Sequence, residues 1–177
     1  MLNAPLATPR LRLEPLTAAH ADAMFVSLQD DAIYRWISTT APTSLQALRE
    51  RWARHESRVS PDGREAWLNW AVRRTSDGVY IGKIDVAVDE AGTATNVGYI
   101  FFPAFRGQGF ATEAVSAVVD HLIGAGVTRL VATVTVGNVA SARVLTKAGF
   151  VLTRVLPEND TIRGVLHDDE EYIRIAP

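Results

Sequence analysis

The chain contains no cysteine among its 177 residues. Disulfides, thiolate metal sites and a covalent acyl-cysteine intermediate are thereby excluded. Histidine is sparse as well. His20, His55, His121 and His167 are scattered, none in an H-E-x-x-H arrangement, and no metal site is expected. Nowhere does the sequence approach the roughly 20 apolar residues of a membrane span, and the opening MLNAPLATPRLRLEPL has no apolar run of signal-peptide length. An excess of one charge is also lacking: 18 basic against 20 acidic side chains leave a net charge of -2. A nucleic-acid-binding protein would normally show a basic surplus. A soluble, cytoplasmic protein is the expectation, with neither nucleic acid nor membrane as partner.

What is present is ordinary globular material, 47% apolar and 21% charged, in a length that suggests one domain over residues 1–177. Residues 10–14 alternate like a half-buried strand, and Thr17 is placed to cap a helix running to about Leu28. Leu45, Leu48 and Trp52 mark one face of a second helix. From Trp67 the period changes to two. Leu68, Trp70 and Val72 form one run, Ile84, Val86 and Val88 a second, and NVGYIFF a third, so three antiparallel strands precede residue 103.

Val115, Val118, Val119 and Leu122 then define a helix that stops near Gly124 and Gly126. TRLVATVTV is a buried strand by its β-branched content. In NVASARVLTKAGF, Asn138 is a natural N-cap, Val144, Leu145 and Ala148 form the apolar face, and Gly149 ends the helix. FVLTRVL and EEYIRI read as two final strands. The whole is an α+β arrangement without repeats.

Between the third strand and the third helix stands PAFRGQGFATEAV. Gly107 and Gly109 allow a sharp bend that exposes backbone N–H groups. Those donors lie at a helix N-terminus, where anions are favoured, and Arg106 adds a guanidinium fork suited to phosphate. The alternative is a strand-to-helix turn that binds nothing. The P-loop pattern G-x-x-x-x-G-K-[ST] is absent, and the dinucleotide fingerprint fails at Thr112.

Arg106-Gly107-Gln108-Gly109-Phe110-Ala111 resembles the R/Q-x-x-G-x-G/A acyl-CoA loop of the GNAT superfamily of N-acyltransferases. TPRLRLEPLTAAHADAM, VGYIFFPAFRGQGFATEAV, NVASARVLTKAGF and RGVLHDDEEYIRI are similar to successive segments of the branch that holds the ribosomal-protein N-terminal-alanine acetyltransferases. The resemblance covers nearly the whole chain. It implies a GNAT fold, a mixed and largely antiparallel sheet flanked by helices, with acetyl-CoA as cosubstrate.

Several site residues follow from that resemblance. Ile100, Phe101 and Phe102 would lie along the pantetheine arm, and Arg106, Gly107, Gln108, Gly109, Phe110, Ala111 and Thr112 around the pyrophosphate. Asn138 would reach the pantetheine or serve only as a cap. Ser141 would donate a hydrogen bond beside the leaving sulfur, since the tyrosine some relatives use is Thr146 here. The N–H of Phe101 or Phe102 would stabilise the oxyanion.

Many relatives carry a glutamate base where this chain has Asn96, which could at most hold a water. Asp85 is the first substitute, or else a solvent-facing strand residue. Glu113 is explained by the helix dipole, and His167-Asp168 by a polar hairpin. Tyr34, Arg35, Trp36, Trp67 and Trp70 are core or pocket lining. The acceptor would be a primary amine: a protein N-terminus, an amino acid or a small molecule. A non-catalytic acyl-CoA-binding module and a nucleotide-binding domain are the alternatives. The C-terminal hairpin could support a homodimer.

Overall fold

A computed structural model describes all 177 residues. The strands are β1 (Leu6–Ala7), β2 (Leu11–Pro15), β3 (Glu65–Arg74), β4 (Tyr80–Asp89), β5 (Thr93–Phe101), β6 (Arg129–Thr135), β7 (Val151–Ile162) and β8 (Val165–Ile175). The α-helices are α1 (Ala21–Met24), α2 (Leu45–His55), α3 (Phe110–Gly124) and α4 (Val139–Lys147). All eight strands form one sheet in the order β1-β2-β3-β4-β5-β6-β8-β7. Every neighbouring pair is antiparallel except β5 and β6, which run parallel through α3.

The alternation along β3 shows how the sheet is covered. Leu68, Trp70 and Val72 face a core built with Ala114, Val115, Val118, Val119 and Leu122 of α3. Ala71 faces the opposite side, where Leu16, Met24, Leu28, Leu48, Trp52 and Phe102 pack. Period two in the strand therefore feeds two apolar layers, with α3 and α4 on one face and α1 and α2 on the other.

Three expectations are corrected. The helix from Thr17 to about Leu28 is broken into a 3-10 turn at Ala18–His20, the single turn of α1, and a second 3-10 turn at Ser27–Gln29. Phe25, Val26 and Ser27 are weak helix formers, and Val26 is solvent-exposed, so only Phe25 of that stretch gains packing that could hold an α-helix. Before the glycine loop the two-residue strand β1 was not expected, whereas β2 falls on the strand read at residues 10–14, and both join the same sheet as β3, β4 and β5. The final hairpin is much longer than FVLTRVL and EEYIRI, taking in PENDT and HDD. Pro157 and the polar run hid it. Pro157 is tolerated because β7 is an edge strand whose register shifts between Leu156 and Asp160. Arg163 and Gly164 close the hairpin with φ of 52° and 81°, the positive values a two-residue type I′ turn needs.

Glu113 ties the start of β2 to the start of α3. Its carboxylate accepts from the Thr8 hydroxyl, from the Arg10 N–H at 3.0 Å and from Arg10 Nε at 2.6 Å. Burial alone would raise its pKa, but these donors outweigh it and hold the group below the usual carboxylate range. The Arg10 guanidinium also caps the Phe110 ring at 4.5 Å and donates to the Gln108 carbonyl. Glu113→Ala should therefore lower stability by about 2 kcal/mol, the sum expected for lost charge-assisted hydrogen bonds offset by solvent access. Urea denaturation at neutral pH measures this, and a change under about 0.5 kcal/mol would mean the clamp contributes nothing.

Candidate active site

The parallel pair β5 and β6 is joined only at Thr93 with Arg129 and Ala94 with Leu130. Beyond Ala94 the two strands separate, and the wedge between them is the cleft. On its other edge β5 stays paired with β4, and the Phe102 N–H donates to the Ile81 carbonyl at 2.9 Å. Antiparallel pairing alternates, so the peptide groups of Phe101 and Tyr99 turn away from β4 into the wedge. The Phe101 carbonyl is met there by Arg106 Nε at 3.2 Å. This parity corrects one expectation: Phe102 has its N–H engaged by Ile81 and its ring in the α1/α2 layer, so it offers nothing to the cleft.

At the cleft mouth, Gly107 and Gly109 take φ of 74° and 81°. An added Cβ on Gly107 would meet nothing within 4 Å, so that glycine is required by its conformation rather than by space. The first helical bond of α3 runs from the Glu113 N–H to the Gly109 carbonyl. The N–H groups of Phe110, Ala111 and Thr112 precede it and have no intrahelical acceptor. Arg106 is anchored by Phe101 O and by Ala32 O at 3.3 Å, with donors left over.

A groove of about 480 Å³ runs along these groups, lined by Arg106, Gly107, Gly109, Phe110, Ala111 and Thr112 and continuing past Ile100 and Phe101. Arg143 and Lys147 of α4 line its far side, two cations the sequence reading did not single out. Gln108 departs from expectation. It does not line the groove, because its side chain donates back to the Ala104 carbonyl at 3.2 Å.

A second cavity, of about 450 Å³, opens on the other side of β5. Its walls come from the segment Trp36–Thr40, from α2 through Arg51, Trp52 and His55, from β4 and β5, and from β6, α4 and the β7/β8 hairpin. The two spaces share Trp36, Ile37, Tyr99, Ile100, Asn138 and Ser141. They meet where the Tyr99 hydroxyl lies 2.7 Å from Ser141 Oγ and donates to the Ser141 carbonyl at 3.1 Å. Burial raises the Tyr99 phenol to about 12 despite the hydrogen bond with Ser141. Asn138 caps α4 by accepting from the Ser141 N–H at 3.4 Å, and it borders both spaces as well. Tyr99 went unread in the sequence. The signal available was the placement of a tyrosine on the inward parity of the strand before the loop.

The candidate bases fall out unequally. Asn96 is exposed at the cavity rim. Asp85 lies on the cavity wall rather than toward solvent, but both its oxygens are taken, Oδ1 by Asn69 Nδ2 at 2.8 Å and Oδ2 by the Lys83 ammonium. His167 and Asp168 sit outside the cavity, where Asp168 accepts from the Glu158 N–H. Of the aromatics, Tyr34 and Trp36 line the cavity, whereas Trp70 is core, bonded to the Ala4 carbonyl. Trp67 stands edge-on to His55 at 5.6 Å.

A wedge opened beside a largely antiparallel sheet, with a glycine loop and a helix N-terminus at its mouth and a second cavity meeting it at a half-buried hydroxyl pair, can hold a donor and an acceptor side by side. The chain belongs to the GNAT acetyltransferase family, whose domain matches residues 10–151, and it is an N-acetyltransferase that takes its acetyl group from acetyl-CoA and passes it to an amine. It is 26% identical over 174 residues, 97% of both chains, to YoaA, an uncharacterised N-acetyltransferase of Bacillus subtilis. Its fold matches RimJ of Mycobacterium smegmatis in complex with a CoA disulfide, with a TM-score of 0.85 at 22% identity over 98% of this chain and 86% of that one. It also matches RimL, a ribosomal α-N-protein acetyltransferase in complex with coenzyme A, with a TM-score of 0.84 at 20% identity over 97% and 98% of the two chains.

His55 supplies a pH test of this wall. Burial, above all, pushes its imidazole below the ordinary range, with Lys83, Arg54 and Arg51 adding to the effect and Asp85 opposing it. The folded chain therefore holds His55 neutral at a pH where the unfolded chain takes up a proton, so stability is lost as pH falls below about 6.5. His55→Gln should flatten that loss relative to the parent when urea midpoints are compared between about pH 5 and 7.5. Parallel profiles would mean that the imidazole is not held neutral.

Proposed function

We propose that acetyl-CoA occupies the groove and that the acceptor amine enters through the second cavity, the acetyl group passing directly between them at Tyr99 and Ser141. The observation that carries this reading is the meeting of two cavities at one half-buried hydroxyl pair. Each cavity has the size of a small-molecule site, and their chemistry differs. The groove is lined by helix N-terminal amides, Arg106, Arg143 and Lys147, suited to phosphates. The free edge of β5 offers the peptide groups of Tyr99 and Phe101 to the amide-bearing arm of the cosubstrate, as an added strand would pair.

In the transfer, the neutral amine attacks the thioester carbonyl, a C–N bond forms and the carbonyl oxygen takes up negative charge. The Phe101 N–H, turned into the wedge, is the donor placed for that oxyanion. The C–S bond then breaks and the sulfur leaves as a thiolate, whose reference pKa of about 8.5 makes it a tolerable leaving group. Ser141 Oγ accepts from the Tyr99 hydroxyl, whose proton is shared with the Ser141 carbonyl, and so keeps its own proton for a hydrogen bond toward the sulfur. With the Tyr99 phenol near 12, the pair stays protonated at neutral pH and works by donation and orientation. The nitrogen sheds one proton to solvent water entering the open second cavity, so that amide, thiolate and a hydrated proton account for all atoms and charge.

The acceptor class is an amine on a small molecule or at a protein N-terminus. Trp36–Thr40, α2 and the body of the β7/β8 hairpin shape what enters, and a single domain carries both cavities.

A thermal-shift titration tests the groove. Acetyl-CoA at about 100 times its Kd should add about 2.7 kcal/mol, a rise of roughly 5–10 °C, with ATP and NAD giving none. Arg106→Ala should weaken acetyl-CoA at least about tenfold, since phosphate-directed hydrogen bonds to a charged group are each worth about 1.5–3 kcal/mol. Unchanged affinity would remove the loop from the reading. Tyr99→Phe should cut kcat on the order of 10–100-fold while leaving acetyl-CoA affinity within about twofold, because the hydroxyl orients Ser141, whose hydrogen bond meets the departing sulfur. Release of CoA thiol in the presence of an amine panel is the readout, and a Tyr99→Phe rate equal to the parent's would refute the hydroxyl pair's role.

A further inference from the structure

α2 turns one stripe toward the second cavity: Leu48, Arg51, Trp52 and His55, spaced three and four apart. Leu48 and Trp52 are apolar and belong to the buried layer beneath. The other arginines of this segment are accounted for. Arg49 pairs with Asp22, Arg58 donates to the Leu16 carbonyl at 2.6 Å, and Arg54 is exposed to solvent. Arg51 is different. It is half-buried in the cavity wall, and its guanidinium takes part in none of the chain's ion pairs. A guanidinium that has lost part of its water without gaining an acceptor is costly, and its planar fork of donors matches a carboxylate in bidentate fashion.

The surrounding groups leave that cation unmatched. Lys83 is neutralised by Asp85. His55, one turn further along α2, is kept neutral by its burial. The Tyr34 hydroxyl is spent on the Leu28 carbonyl at 2.6 Å. Asp160 and Asp169 line the cavity too, but from the hairpin side, on β7 and β8. α2 lies over β3, where His55 stands on Trp67, and in the sheet β8 and β7 come four and five places after β3. Neither aspartate forms an ion pair with Arg51. Ser38, Thr39 and Thr40 add hydroxyls to the same cavity. The α2 end is therefore rich in donors, and its one carboxylate, Asp85, is already engaged.

We propose that Arg51 binds a carboxylate carried by the acceptor, so that the enzyme favours amines bearing an acid group over neutral ones. The amine nitrogen sits at the Tyr99–Ser141 junction and the carboxylate lies toward α2, where the guanidinium takes both of its oxygens. The pairing is made before the acetyl group moves and persists while it moves, so it is expressed in KM rather than in kcat. Neutral amines leave the guanidinium unpaired and gain nothing there, which is how one residue sets a preference. This role rests on the assignment of the second cavity to the acceptor.

Two pairs of amines that differ in this one charge are the probes: γ-aminobutyrate with γ-aminobutyramide, and glycylglycine with glycylglycinamide. Thiol release at saturating acetyl-CoA is followed on the parent chain, Arg51→Ala, Arg51→Lys and Arg51→Trp. Within at least one pair the parent should prefer the acid by about tenfold or more in kcat/KM, the worth of a charge-assisted pair. The pair that responds tells a free amino acid from the end of a peptide. Arg51→Ala should cut that preference to under about twofold by raising the KM of the acid, and the unfolding temperature should hold, since Arg51 has no ion-pair partner in the fold. Arg51→Lys keeps the charge but loses the fork, so it should retain an intermediate preference. Ratios compared between variants cancel differences in amine basicity. The role of Arg51 is overturned if a parent that binds acetyl-CoA prefers neither acid or turns over none of the four amines, if the preference survives Arg51→Ala, or if it is lost through kcat alone. Arg51→Trp separates that failure from failure of the cavity assignment. An uncharged side chain filling the space should raise the KM of acid and amide together, and an unchanged KM for both would mean that the amine enters elsewhere. A parent that does not bind acetyl-CoA would instead strike the groove assignment.

Discussion

Two parallel strands that hydrogen-bond at two positions and then part company leave peptide groups with no partner inside a folded chain. Backbone N–H and C=O groups demand partners, and the structure supplies only a few: Arg106 takes the Phe101 carbonyl, and Tyr99 is held through its hydroxyl rather than its peptide. The rest of the edge waits for something that brings its own amides. Everything that follows, from the glycine loop at one end to the carboxylates at the other, is arranged around that open seam. α3 must start there, because the chain leaves β5 at the wedge and can return as a parallel strand only by crossing over the sheet.

The seam also separates two kinds of chemistry that would interfere if mixed. Cations and helix amides line the groove, whereas the other cavity carries both signs, Arg51 and Lys83 beside Asp85, Asp160 and Asp169. Tyr99 and Ser141 are uncharged at neutral pH, which suits a boundary that must favour neither side. Asp85, the tempting base, is spent on holding Lys83 and Asn69 in the sheet.

What the sequence made legible was local. Gly107 and Gly109 needed positive φ, Asn138 needed only the helix after it, and Leu68, Trp70 and Val72 announced their common face by spacing. Each of these depends on residues a few positions away. What stayed hidden depended on partners brought from afar. Whether Phe101 or Phe102 faces the cleft is decided by which of them pairs with Ile81. Tyr99 means little until α4 sets Ser141 against it. Asp169 lay in a run of four acidic residues that reads as solvated hairpin, and only its register against Thr135 turns it inward. The Thr17–Leu28 stretch failed for the opposite reason: its local pattern was helical, but Val26 gained no burial to hold it so.

The brevity of the β5/β6 seam has a bearing on how the chain reaches its native state. Thr93 and Ala94 meet Arg129 and Leu130 only after the whole loop and α3 have been threaded between them, whereas β3, β4 and β5 are joined by tight hairpins. Loop-closure entropy favours the hairpins early and the crossover late. The hairpin meander before the wedge and the β7/β8 hairpin after it can each condense from nearby contacts. Their union, made through two residue pairs and the helix laid across them, comes last. The cleft is thus the space left where the strands before and after α3 are brought together, and it exists only in the fully assembled molecule.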